Sequence, residues 1–173
     1  YSSQGEEWRQ IARDRVLPHL NARLPSMQIA RKHLLQLCEP VSVRLENALG
    51  LTVPVYWVIY VGVGSGAGWV TRLRDRWSIL FGLENIAEER WVSRSVLEGM
   101  AAHEMGHVAH FYWRTWHGSA EGAGPWWQLY TEGFAQLCEH RMAGRESWHM
   151  AATTDSDDWL AWCREHERWL AAE

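Results

Sequence analysis

In the stretch MAAHEMGHVAHFYW, Met100 to Trp113, residue types and spacing together specify a chemistry. His103 and His107 lie four residues apart. On a helix that spacing places two imidazoles on one face, about 6 Å apart at Cβ, so that both can coordinate one metal ion. Glu104 is turned by roughly 100° from His103, so its carboxylate can stand beside an open coordination position without filling it. A metal-bound water would lie there. Nine histidines and sixteen glutamates scattered at random over the chain would give roughly 0.04 matches to H-E-x-x-H, which makes the pattern specific.

The surroundings of the motif sharpen this reading. On a helical projection Val96, Leu97, Met100, Ala101, Val108 and Phe111 form an apolar face, with Glu104 and His107 inside it and His103 at its margin. Gly99, Ala102, Met105, Gly106 and Ala109 make the opposite side small enough for close packing. Burying an ionised carboxylate costs several kcal/mol without a partner, and a divalent cation would be one. The plainer alternative is a pair of core histidines satisfied by neighbouring hydrogen bonds.

A catalytic zinc site needs a third protein ligand and leaves the fourth position to water. The extended pattern H-E-x-x-H-x-x-G-x-x-H fails here, because His110 stands where glycine is required and Trp113 where histidine is. His110 reads as a core or supporting residue. The downstream donors are His117, Glu121, Glu132, Glu139 and His140. Of these, Glu132 lies in YTEGFAQ, Tyr130 to Gln136, flanked by residues as small as Gly133 and Ala135.

This segment and the H-E-x-x-H helix together resemble the gluzincins, metallopeptidases whose third zinc ligand is a glutamate in an E-G-x-A segment. The resemblance covers about a quarter of the chain, Met100 to Glu139, and extends to the small zinc-dependent protease domains of that group. It implies one Zn2+ per chain held by His103, His107 and Glu132, with Glu104 as general base; Glu139, one heptad further along the same side of its helix, is the runner-up ligand. The resemblance also implies hydrolysis of a peptide or protein substrate lying extended along an edge strand, a role WSILFGL could fill. Two features depart from the family pattern. Twenty-four residues separate His107 from Glu132, enlarging the connecting loop, and no tyrosine follows Tyr130 to stabilise an oxyanion. His140, His149 or a residue beyond Glu173 would have to serve.

The elements that must position these groups follow from hydrophobic period and punctuation. Helical spacing runs from Glu6 to about Asn21, and again from Pro25 or Ser26 to a stop at Gly50, with a break or kink near Pro40. Val53 to Val63 and WSILFGL read as strands, Trp69 to Leu73 as a weak partner strand, and GVGSGAG as a hairpin loop rather than a phosphate cradle. Helical pattern returns from Ser93 to Trp113 and from Pro125 to about Gly144, then from Asp157 to the end, where Trp159, Trp162, Cys163, His166 and Trp169 share a side. On the helix after Pro125, the apolar stripe is Trp126, Leu129, Tyr130, Gly133, Phe134 and Leu137, with Glu132 and Glu139 off it. The expected fold is α+β, helices with a short twisted sheet packed on the H-E-x-x-H helix, and the resemblance makes it zincin-like.

Size and composition set outer bounds. A chain of 173 residues suits one domain, 1–173, and its opening at Tyr1 and abrupt end at Glu173 suggest truncation. A net charge of −4 with Lys32 as the single lysine argues against a nucleic-acid surface. The longest apolar run, Val53 to Gly64, is too short to span a membrane. Cys38, Cys138 and Cys163 encode neither a disulfide framework nor a thiolate zinc site, favouring a reducing, cytoplasmic compartment. Thirteen tryptophans either fill the core or, around the loop at Trp113, Trp116, Trp126 and Trp127, form an aromatic wall beside the site. Two other classes of function stay open: a non-catalytic zinc-binding module with a structural or closed site, and a metal-free helical interaction domain.

Overall fold

Met27, Ala30, Leu34, Leu37, Val41 and Leu45 recur at three- and four-residue intervals and are all buried, along one helix of thirty residues. This helix, α2 (Leu20–Leu49), appears in a computed structural model that describes residues 7–119, 122–143, 161–162 and 164–170. Neither Pro25 nor Pro40 ends it, although helices were expected to start near the first and break near the second. Each interior proline costs about 3 kcal/mol, and burial of Met27, Leu34, Leu37, Val41 and Leu45 at roughly 1.5–3 kcal/mol each outweighs that. Gly50 closes the helix in a left-handed conformation, φ 63°, which a glycine adopts without strain. Before it, α1 (Glu7–Ile11) passes through a π turn, Ala12–Val16, and a 3-10 turn, Leu17–His19.

Three strands follow: β1 (Val55–Tyr60), β2 (Gly68–Leu73) and β3 (Arg76–Gly82). Their order is β1-β3-β2, with β1 parallel and β2 antiparallel to β3. WSILFGL therefore lies mostly in the central strand, hydrogen-bonded on both sides, and cannot be the edge that receives a peptide; β2 is an edge instead. The burial of β3 explains the error, since its run from Ser78 to Gly82 is buried throughout, as in a strand covered on both sides. The glycine run is likewise not a hairpin loop, because β1 and β2 do not pair. It crosses from one edge of the sheet to the other, while the tight hairpin is Arg74-Asp75, both at positive φ (49° and 62°). The buried Glu84 carboxylate accepts from the Gly62 and Gly64 N–H groups at 2.8 and 3.2 Å and ties this crossing down.

After the short α3 (Leu83–Glu88), Ser93 caps α4 (Arg94–Trp116), its hydroxyl accepting the Val96 N–H. Pro125 opens α5 (Pro125–Ala143), where its missing N–H costs no helical bond. The core lies between α2, the sheet, α4 and α5, and the architecture is α+β. None of the described helices is long and apolar enough to cross a membrane. Of the expected last helix, Glu167–Leu170 is helical, and Trp162 and Trp169 are exposed. Trp159 and residue 144 lie outside the described residues, as does residue 163.

Candidate metal centre

The central helix α4 is buried on almost every side between Val96 and His110, so its polar groups must find partners within the fold. His103 is 6% and Glu104 7% exposed. The small side works as expected. A Cβ at Gly106 would lie 2.8 Å from the Cys138 Cβ and 2.9 Å from the Ala135 Cα, so glycine lets the α5 backbone approach α4 closely. The expected apolar stripe of α5 is not what docks. Thr131, Ala135, Cys138, Glu139 and Met142 are buried, whereas Trp126, Leu129, Tyr130 and Leu137 stand exposed. Close backbone contact selects the small-residue face, which buries Glu139 and sets the half-exposed Glu132 at the edge of the interface with α4.

Glu132 reaches the two histidines from that face. Its Oε2 lies 3.2 Å from His103 Nε2 and its Oε1 lies 3.6 Å from His107 Nε2. One ligand atom from each of the three residues falls within 4.8 Å of the others. Donor atoms around a tetrahedral ion at ordinary zinc bond lengths lie about 3.4 Å apart, so a group with a spread of up to 4.8 Å is compatible with a metal ion once the donors draw inward. Two imidazole nitrogens and a carboxylate oxygen are also a known catalytic zinc donor set.

Glu139, expected as a substitute ligand, sits behind the site. Fully buried, it places Oε2 3.7 Å from Nδ1 of His103, the ring nitrogen turned away from Glu132. A carboxylate in that position fixes the orientation of a ligating imidazole and raises its basicity. Burial alone would push the His103 pKa down, but the hydrogen bond to Glu132, the nearby Glu139 carboxylate and the field of Glu104 raise it to about 9. The hydrogen bond to His103 and the adjacent His107 imidazole hold Glu132 well below the usual carboxylate range. Without a cation, the imidazolium of His103 supplies the positive charge this acidic cluster requires.

Glu104 borders the same cleft as the two histidines and Glu132 and reaches the sheet. A Cβ at Gly68 would meet the Glu104 Oε1 at 2.7 Å, so the side chain occupies space that only glycine at the start of β2 leaves open. Gly68, His103 and Glu104 are shared by two lobes of a cleft. One, of about 440 Å³, runs to Asn85, Glu89, Trp91 and Met100. The other, of about 340 Å³, runs to Trp69, Val70, Phe111, Thr131 and Glu132. Glu104 thus stands midway along a cleft bordered by the β2 edge.

The remaining donors do not join this cluster. His110 packs among Phe111, Trp127, Tyr130 and Phe134, with ring centroids 5.0–5.6 Å away, and burial lowers its pKa. His117 is exposed beyond the end of α4, too far along the chain to close the site. His140 follows Glu132 by two turns of α5 and lines neither lobe. Glu121 and His149 fall outside the described residues. The sequence reading missed the contribution of β2: the alternating glycines that signalled a loop include Gly68, which admits the Glu104 side chain.

The chain matches no family model, no curated protein and no solved structure.

Proposed function

We propose that the chain is a gluzincin-type, zinc-dependent metallopeptidase, with His103, His107 and Glu132 as metal ligands and Glu104 as general base. The observation that carries this reading is the convergence of the three ligand atoms from α4 and α5, with the Glu104 carboxylate held beside them against the β2 edge. Zinc, when bound, supplies a Lewis acid that acidifies water and polarises a carbonyl. Glu104 takes the proton of the attacking water and passes it to the leaving amine. A peptide adding to β2 by strand pairing would bring its carbonyl to that carboxylate. Glu139 keeps His103 oriented, and α5 holds Glu132 in reach. An edge strand beside the H-E-x-x-H helix, and a later helix carrying a carboxylate, support reading the α+β fold as zincin-like.

Zinc content and hydrolysis of a broad peptide mixture, measured on wild type, Glu132→Ala and Glu104→Gln, test the proposal. The expected pattern is about one zinc in wild type, much less in the first variant, and near-normal zinc without turnover in the second. Equal zinc in all three would remove Glu132 from the site, and an active Glu104→Gln enzyme would remove the base.

A further inference from the structure

Beyond the two lobes, a third cavity of about 270 Å³ lies where β2 and β3 meet the end of α4. Val53, Pro54, Trp77, Tyr112 and Trp116 form its apolar walls, and Arg72, Arg76, Asp75 and Thr115 complete its lining. The candidate centre does not use it, yet the two are connected. His107 stacks on Phe111 with centroids 6.1 Å apart, Phe111 stacks on Trp77 at 5.5 Å, and the Arg72 guanidinium lies 5.2 Å from the Trp77 ring. The same line runs along β2, whose alternate residues pass from Gly68 at Glu104, through Val70 beside His107, to Arg72 at the cavity. Four strand residues span about 13 Å. Eleven helical residues, Glu104 to Thr115, span about 16 Å, so both elements place the cavity at a similar distance from the base.

Charge and shape define the occupant. Arg72 donates to the Asp75 carbonyl at 2.7 Å, and the Arg76 guanidinium sits 4.5 Å from the Tyr56 ring, so backbone and aromatic faces fix both cations in place. Two guanidiniums against one carboxylate leave the rim positive. Trp116 is 74% exposed, and the tilted Tyr112 ring 6.1 Å away leaves most of its apolar surface open. A peptide paired antiparallel to β2, the more stable sense, would run from the Arg72 end toward Gly68. It would thus bring residues that precede the cleaved bond to the cavity.

Resting on the peptidase reading above, we infer that this cavity is a specificity subsite. It takes an aromatic side chain, with an acidic neighbour, four residues before the residue that contributes the cleaved carbonyl. Burying a phenyl ring there is worth about tenfold in binding. An acidic neighbour adds a smaller, salt-sensitive gain.

The test pairs cleavage with binding. Zinc-loaded wild type and Trp116→Ala digest a random peptide library, and mass spectrometry of the products reports the residue at each position around the cut. In parallel, zinc-loaded Glu104→Gln, with and without Trp116→Ala, binds a fluorescent dodecapeptide containing Asp-Phe, with Ala-Ala and Arg-Phe versions for comparison. Aromatic enrichment at the stated upstream position, lost in Trp116→Ala while overall cleavage persists, supports the subsite. A flat profile there, enrichment downstream of the bond, or enrichment unaffected by Trp116→Ala overturns it and leaves the peptidase reading standing. If nothing is cleaved, the peptidase reading fails and binding decides. About tenfold weaker binding both for the Ala-Ala peptide and in the Trp116→Ala background upholds an aromatic-peptide site, and equal binding rejects it.

Discussion

Replacing Gly68 by alanine probes the one contact that sets where Glu104 stands. The added Cβ would lie 2.7 Å from the carboxylate Oε1 and 3.2 Å from both Cδ and Cγ of Glu104. The closest approach is about 0.7 Å short of ordinary van der Waals contact near 3.4 Å, and the side chain that must yield is flexible at its far end. The backbone can stay in place, and alanine is intrinsically better than glycine in a strand by about 0.5–1 kcal/mol, so the melting temperature should hold or rise slightly. The carboxylate, however, must move by most of an ångström. Displacements of that size cost on the order of 10²-fold where geometry governs reaction, and a general base contributes roughly 10²–10⁴-fold in all. Gly68→Ala should therefore lower kcat/KM by about 10- to 100-fold, or about 1.4–2.8 kcal/mol of transition-state stabilisation, with zinc content unchanged. In a Glu104→Asp background the shorter arm gives the methyl room, and the same glycine change should cost less than about twofold. Quenched-fluorescence peptide cleavage measures the rates, and elemental analysis the metal. Full activity in Gly68→Ala, alongside an inactive Glu104→Gln, would show that Glu104 does not work from its position at the β2 edge.

Glu139→Gln should keep the fold but weaken zinc binding by about 10- to 100-fold, measured by chelator competition, because His103 loses the carboxylate behind its Nδ1. Gly106→Leu should destabilise the protein by at least about 1–3 kcal/mol in denaturant unfolding and release zinc, since the new side chain meets the α5 backbone at Ala135 rather than a movable side-chain end. In the metal-free protein, His103 has a folded pKa of about 9, above its ordinary 6.5. The stability it contributes is thus fully present below about pH 6.5 and lost as pH rises through 9, which unfolding titrations without metal should show. Zinc must displace that proton, so apparent zinc affinity should fall about tenfold per unit as pH drops below 9, and a pH-independent affinity would exclude His103 as a ligand.

The helices and their partners were legible in the sequence where a local signal was strong. Ser93, Pro125 and Gly50 mark real ends, and the H-E-x-x-H spacing brings His103 and His107 to one face of a buried helix. What misled was information held in the tertiary arrangement. The apolar stripe of α5 was the obvious face to bury, but close packing of Gly106 on Ala135 and Cys138 favours its small face and leaves Trp126, Leu129, Tyr130 and Leu137 outward. Strand order carries no local signature, so β3, the most buried strand, did not announce itself as central, nor β2 as an edge. Trp116 and Trp126 prove exposed, whereas Trp113 and Trp127 are partly covered, so the loop tryptophans neither simply fill the core nor stand wholly free of it. Glu139 shows the limit of spacing: seven residues from Glu132, it shares that residue's face of α5 yet meets the opposite nitrogen of His103.

Both carboxylates at the histidines ride on a single helix whose seat depends on one glycine. Occupancy of the centre and docking of α5 are therefore thermodynamically linked. Anything that levers α5 outward would withdraw Glu132 and Glu139 together, and a bound cation would act as a rivet between the two helices. A partner gripping the outward aromatic ridge of α5 would have a mechanical handle on affinity for the ion without entering the cleft.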